Sequence, residues 1–241
     1  MNVTLPSSLA LAPAASDDPG ALLETLATVD TDDGAATMHA ALPADDRSND
    51  AAIRAFAKTL QVETAALQAV RDVESAGAAF QADGKPTILF ERHIFWRRLI
   101  AHGIDPNMYA PHYPTLLSPT PGGYGPATEQ HARLQQAERI HRPAACESAS
   151  WGAFQIMGFH WAALRYDSID AFVDAMCRDA FAHIDALGRF LSLDPRLIRA
   201  LRARDWQTFA RLYNGPNYRI NRYDEKLARS YAAFKAIAAM T

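Results

Sequence analysis

Cysteine is scarce: 241 residues hold two, Cys146 and Cys177. Neither has a neighbour at metal-ligand spacing, so a zinc site built on cysteine pairs is excluded. No His-x-x-x-His pair and no glycine-rich phosphate loop occurs, which leaves motif-based metallohydrolase and nucleotide chemistry without a foothold. No cofactor, metal or nucleic-acid partner is expected. Both thiols read as buried and free, with one disulfide open to them only in an oxidising compartment. Long apolar runs are also missing; none approaches the ~20 residues that span a bilayer. The first residues lack a basic n-region, and Pro6 interrupts their short apolar stretch. That segment reads as an unstructured leader, not a Sec signal.

Bases are nearly absent from the first fifth of the chain. Residues 1–50 carry nine acids and one base, Arg47, a net −8, while the remainder carries 23 bases and 18 acids, +5. A mildly basic body suits an anionic polymer, and the acidic leader could moderate that attraction. Two ordinary solvated surfaces would show the same balance. Hydrophobic residues make up 49% and charged ones 21%, so most of the chain is expected to be globular.

Residues 1–49 mix Ala, Pro, Asp, Ser and Thr. Short helices over 21–29 and 35–42 are bracketed by Pro19, Gly20, Gly34 and Pro43, so this region reads as a leader with weak local helix. From Asp50 the pattern changes. Asp50 can cap a helix through Ile53, Phe56 and Leu60, and Thr64 opens the next. Leu67, Val70 and Val73 then form an apolar stripe, and Gly77 is a natural stop. Glu74 falls in the last turn, where its charge opposes the negative end of the helix dipole. Placement against local preference is what a functional residue often looks like.

Asp83-Gly84 signals a hairpin turn, and Thr87–Phe90 has strand character with Pro86 at its start or edge. Helix is expected over 91–102, closed by Gly103. Residues 104–124, rich in Pro, Tyr and Gly, read as a long ordered loop that could bring Tyr109, His112, Tyr113 and Tyr124 to a groove. Further helices are expected over 127–141, 159–166, 168–191, 195–202, 206–213 and 224–239. Asp194-Pro195 gives a capped start with proline at the first helical position.

Four segments carry a family resemblance: Val70-Arg71-Asp72-Val73-Glu74-Ser75, Lys85–His93, Ser148–Gly158 and Tyr213-Asn214-Gly215-Pro216. In this combination and order the chain resembles the lysozyme-like superfamily, and most of all the N-acetylmuramidase family of phage endolysins and some bacterial lytic proteins. The Glu-Ser, Gly-x-x-Gln and Tyr-Asn-Gly pieces are also similar to those of goose-type lysozymes and lytic transglycosylases. The likeness runs from about Asp50 to the C-terminus. It implies a mainly α, lysozyme-like α+β domain over 50–241, with many helices and one small β-hairpin, behind a weakly structured leader over 1–49. It implies cleavage of the β-1,4 bond between N-acetylmuramic acid and N-acetylglucosamine.

Such a bond breaks only if its oxygen is protonated, which calls for a carboxylic acid kept neutral by apolar surroundings. By resemblance Glu74 is that acid. Glu91 is the candidate second carboxylate, with Asp83 weaker and no second acid also open; Glu91 could equally tie the hairpin to the next helix through Arg92 or His93. Glu147-Ser148 is a rival Glu-Ser pair and ranks below Glu74, since no apolar-striped helix precedes it. Ser75, Trp151, Gln155, Tyr213 and Asn214 are candidate substrate-binding residues. A carboxamide both donates and accepts, which suits an N-acetyl group, while Trp151 and Phe154 could stack on sugars or simply pack the core.

Three readings stay open: a muramidase, a lytic transglycosylase leaving 1,6-anhydro ends, and a non-catalytic wall-binding protein. The expected partner is the peptidoglycan glycan strand, with the protein a monomer. Release through a holin, as in a phage endolysin, fits the absence of a Sec signal, and delivery as a toxin by a secretion apparatus, with an immunity protein as partner, fits the acidic, Ala/Pro-rich leader.

Overall fold

The computed structural model describes residues 44–74, 79–215 and 218–240, with 44–49 described by backbone only. The chain runs through α1 (Ala44–Leu60), α2 (Thr64–Glu74), β1 (Ile88–Phe90), α3 (Arg92–Ala101), α4 (Gln130–Glu147), β2 (Ala149–Trp151) and β3 (Ile156–Met157). It ends in α5 (Ile169–Arg178), α6 (Ala180–Ser192), α7 (Pro195–Ala203), α8 (Trp206–Tyr213) and α9 (Tyr223–Ala238). The architecture is mainly helical with a small antiparallel sheet, as the sequence implies. The expected helices over 21–29 and 35–42 lie outside the described residues, as does nearly all of the leader. No helix among the described residues is long and apolar enough to cross a membrane.

Two compact units make up the chain. One holds residues 79–183 of those described. Its sheet has the order β1-β2-β3, with Ile88 opposite Trp151, Phe90 opposite Ala149, and Ser150 opposite Met157. The turn at Asp83-Gly84 is closed by a single bridge between Phe80 and Pro86, with Gly84 at φ +80. A second hairpin over 149–157, which the sequence reading did not separate, supplies β1 with its partner. Every residue of the three strands is buried.

The loop over 104–124 is tied down from below. Gln130, fully buried, accepts from the Phe90 amide at 2.9 Å and donates to the Tyr124 and Pro126 carbonyls at 2.6 and 3.0 Å. Arg133 donates to the carbonyls of Thr115, Gly123 and Tyr124. Backbone groups far from any strand thereby find partners, which is what keeps a long loop ordered.

Proline decides where α4 bends. His141 leaves helical geometry (φ −161, ψ 102) two residues before Pro143, and helix then resumes to Glu147, six residues beyond the expected end. Two other expectations change. Residues 158–166 form a short 3₁₀ turn over Gly158–His160 and further turns, not a regular helix. The single helix expected over 168–191 is two, broken at Asp179, whose extended backbone lets its carboxylate accept from the Ala182 amide at 2.8 Å. Cys146 is buried as expected, whereas Cys177 differs from expectation in being exposed on α5; both are free.

The other unit holds residues 44–74, 184–215 and 218–240 of those described. Its core joins Ile53 of α1, Leu67 and Val70 of α2, Leu187 of α6, Leu197 of α7 and Phe209 of α8, each essentially inaccessible. Helix α1 begins at Ala44, so Asp50 is not its cap. Asp50 instead pairs with Arg71 of α2 at 3.3 Å. Arg202 donates to the terminal Leu60 carbonyl of α1 at 2.7 Å, satisfying a group a helix end leaves orphaned. Helix α2 opens at Thr64 as expected. Asp194 and Asp205 accept from the Arg196 and Thr208 amides at 2.8 and 3.0 Å, capping α7 and α8.

Candidate active site

Glu74 is the last described residue of α2, half-buried at the helix end. Asn214, just past the end of α8, aims its carboxamide there: Nδ2 lies 3.3 Å from Oε1 and 3.2 Å from Oε2 of Glu74. The Asn214 amide donates to the Ala210 carbonyl at 2.8 Å, so the turn is held by the helix before it. Tyr213 stacks on Phe209, centroids 5.4 Å apart, and meets Phe190 edge-on at 6.0 Å. This aromatic stack is core; Tyr213 is 1% exposed.

Burial drives the Glu74 carboxyl up to about 7, against the opposing pull of the Asn214 hydrogen bond and the Lys226 charge. Close to neutral pH such a group is a substantial mixture of acid and anion, the condition a general acid needs. Burial, then the Glu74 charge, holds the Tyr213 phenol well above its usual range and the Tyr223 phenol at about 12. Both therefore stay protonated and can donate. Tyr223 and Lys226, on the first turn of α9, were not singled out in the sequence, because an antiparallel helix pairing leaves no local mark there. Ser75 lies outside the described residues.

In the unit over 79–183 the expected site residues serve the sheet. Gln155 has φ +48, and both ends of its amide are spent: Oε1 accepts from Ser150 Oγ at 2.8 Å, and Nε2 donates to the Gly152 and Thr87 carbonyls at 2.8 and 3.3 Å. Trp151 is 3% exposed, donates to the Cys146 carbonyl at 3.1 Å and packs edge-on against Phe172. Of the two roles open to Trp151, stacking on a sugar or packing the core, this burial matches the second, because a stacking surface must be open. Phe154 is likewise core.

A histidine that the sequence reading missed fixes this turn. His183 Nε2 donates to the Met176 carbonyl at 2.8 Å, which leaves Nδ1 to accept from the Ala153 amide at 3.2 Å. Gly152 (φ +71) passes so close that a Cβ would lie 2.7 Å from the His183 ring.

Glu91 precedes α3 and is fully buried. Burial pushes its carboxyl up to about 8, which the Arg97 charge only partly offsets. His93 Nδ1 lies 3.4 Å from Glu91 Oε2, yet neither side chain has a well-formed hydrogen bond among the described residues. Burial depresses His93 to about 4. Two neutral groups thus face each other out of reach of solvent. Asp83 sits in its turn, exposed and paired with Lys85 at 2.7 Å. Glu147 is a clamp: it accepts from Arg98 Nε and His102 Nε2, each at 2.8 Å, and from Trp161 Nε1 at 3.1 Å. Burial would raise its carboxyl, but those three donors together hold it below the usual range. A fully engaged anion has no proton to give.

A mainly helical chain with a small antiparallel sheet, and a carboxylic acid held near neutrality at the end of α2, fits the lysozyme-like class of glycoside hydrolases. The comparisons narrow this. The N-acetylmuramidase family model matches residues 63–235, and the chain belongs to that family. It is a peptidoglycan-cleaving glycoside hydrolase. Among solved structures it is similar to the endolysin of the Burkholderia phage AP3, with 45% identity and a TM-score of 0.74, over 78% of this chain and 71% of that one. A search of curated proteins finds no match.

Proposed function

We propose that this protein hydrolyses the β-1,4 bond between N-acetylmuramic acid and N-acetylglucosamine, with Glu74 as the general acid. The observation that supports this most is the half-buried Glu74 carboxyl, raised to about 7 and anchored by Asn214. Glu74 gives its proton to the glycosidic oxygen as the C–O bond breaks. Water then adds to the oxocarbenium-like carbon and gives up a proton to the Glu74 carboxylate, which restores the acid and leaves a reducing end. Asn214 holds the carboxyl in place, and the Tyr213 stack beneath supports the turn that carries Asn214. Glu91 is too deeply buried to meet a sugar, so in this reading Glu74 works without a second carboxylate, and Gln155 and Trp151 stabilise the sheet.

Two experiments test this. Glu74→Gln should abolish lysis of permeabilised cells while the protein stays folded; a variant as active as the parent removes the assignment. Mass spectra of digested peptidoglycan should show reducing ends that take up oxygen from labelled water. Anhydro ends would instead mean that the muramoyl 6-hydroxyl closes onto the anomeric carbon. For biological role, likeness to a phage endolysin supports release of phage progeny over a secreted toxin. Lysis of a producing cell that depends on a co-expressed holin is the expected result.

A further inference from the structure

Helices α2 and α9 run antiparallel, and their side-chain bonds give the register. Glu63, just before α2, accepts from Lys235 and Tyr231 late in α9, at 2.7 and 2.9 Å. Further along, Asp72 accepts from Ser230 at 2.6 Å. Along α2 the partner on α9 moves back, from Lys235 and Tyr231 to Ser230. Glu74, two residues beyond Asp72, lies toward the N-terminal half of α9, where Tyr223 and Lys226 stand three residues apart on one face. The electrostatics agree: Lys226 pulls the Glu74 carboxyl down and Glu74 pushes the Tyr223 phenol up.

Lys226 differs from the paired lysines of this chain. Lys235 is bound to Glu63 and Lys85 to Asp83. Lys226 is exposed and has no carboxylate hydrogen bond or ion pair among the described residues. Glu225 beside it is taken by Arg222. What steers Lys226 is the Tyr223 ring, with Nζ 5.6 Å from the ring centroid. The positive end of the α9 dipole adds charge of the same sign. An ammonium with no ion pair among the described residues, oriented by an aromatic face and felt by the candidate acid, is arranged to receive an anion.

The two sugars of the polymer differ in a way this arrangement can read. The muramoyl unit bears a lactyl ether that ends in a carboxylate when free, or in a stem peptide with carboxylates of its own. A chain of N-acetylglucosamine alone is neutral. We propose that Lys226 is a specificity-determining residue, which pairs with a carboxylate carried by the muramoyl unit bound at Glu74 and so favours muramoyl chains over neutral ones. The inference rests on Glu74 being the acid.

The test crosses a protein change with a substrate change. Wild type, Lys226→Met and Lys226→Arg are assayed on native peptidoglycan and on the same material with its carboxylates converted to amides. Lys226→Met should lose about tenfold in kcat/KM on native material, mainly through KM, the size of one charge-assisted contact. Wild type should lose a similar factor on amidated material, where Lys226→Met loses nothing further. Lys226→Arg should keep most of the native rate. Glycan strands stripped of stem peptides then separate the sources: an undiminished effect assigns the lactyl carboxylate, and its disappearance assigns the stem. An equal loss on native and amidated substrate, no loss on either, or a change confined to the pH profile overturns the proposal. Glu74→Gln in the same assay keeps the readings apart, since activity retained there removes the acid assignment whatever Lys226 does.

Discussion

Glu74→Gln should make the protein more stable above neutral pH while removing its activity. Burial places the Glu74 carboxyl at about 7, against an ordinary value of 4.5. The folded state thus holds this proton more tightly than the unfolded one. That contribution is fully present below pH 4.5 and is lost as pH rises through about 7. At about 1.4 kcal/mol per pH unit, the loss for a fully buried group is about 3 kcal/mol. Glu74 is half-buried, and solvent screening brings the expected figure to about 2 kcal/mol. Glutamine does not titrate, and its carbonyl can still accept from Asn214 Nδ2. Urea unfolding of both proteins from pH 4 to pH 8.5 measures the difference. The two should nearly coincide at pH 4 and separate across pH 5–7, with the Gln variant more stable at the alkaline end. A difference independent of pH, or a variant less stable at pH 8.5, would refute the account of a desolvated carboxyl. Activity should mirror this, with kcat falling as pH rises through about 7 because the donor loses its proton.

Three further changes probe the rest of the chain. Glu91→Gln should leave the lytic rate at pH 6 within about twofold and remove the stability loss that the wild type shows as pH rises through about 8; abolished activity in a folded variant would return Glu91 to the chemistry. Gln155→Ala removes three hydrogen bonds and leaves a Cβ residue at φ +48. A loss of about 2–4 kcal/mol in urea unfolding is expected. A variant that unfolds like wild type but has a raised KM would show Gln155 meeting substrate. Gly158→Ala would put a Cβ 2.1 Å from the Cys146 carbonyl oxygen. Backbone cannot yield cheaply, so a loss of more than about 2 kcal/mol is expected by the same measurement.

Local signals in the chain decide the structure where local physics controls the outcome. Thr64 opens α2, Asp194-Pro195 opens α7, and the Leu67 and Val70 stripe is buried. Where two signals competed, one was lost. Asp179 is as good a cap as Asp194, but apolar periodicity on both sides disguised the break between α5 and α6. The second hairpin went unseen because strands of two and three residues have too little pattern to stand out.

The candidate site divides along the same line. Sequence alone put a carboxylic acid on the last turn of a capped, apolar-striped helix and ranked it above Glu147. It could not say which conspicuous side chains were free. Trp151 and Gln155 have the chemistry to hold a sugar, yet one packs in the core and the other spends its amide on a turn. Lys226 looked like any helix-surface lysine until α2 and α9 were paired. Residue type and spacing determine what a group is able to do, and these are written in order along the chain. Burial and partnership determine whether it is protonated, occupied or available. Those depend on contacts between residues as distant as Glu74 and Asn214, which only the folded chain brings together.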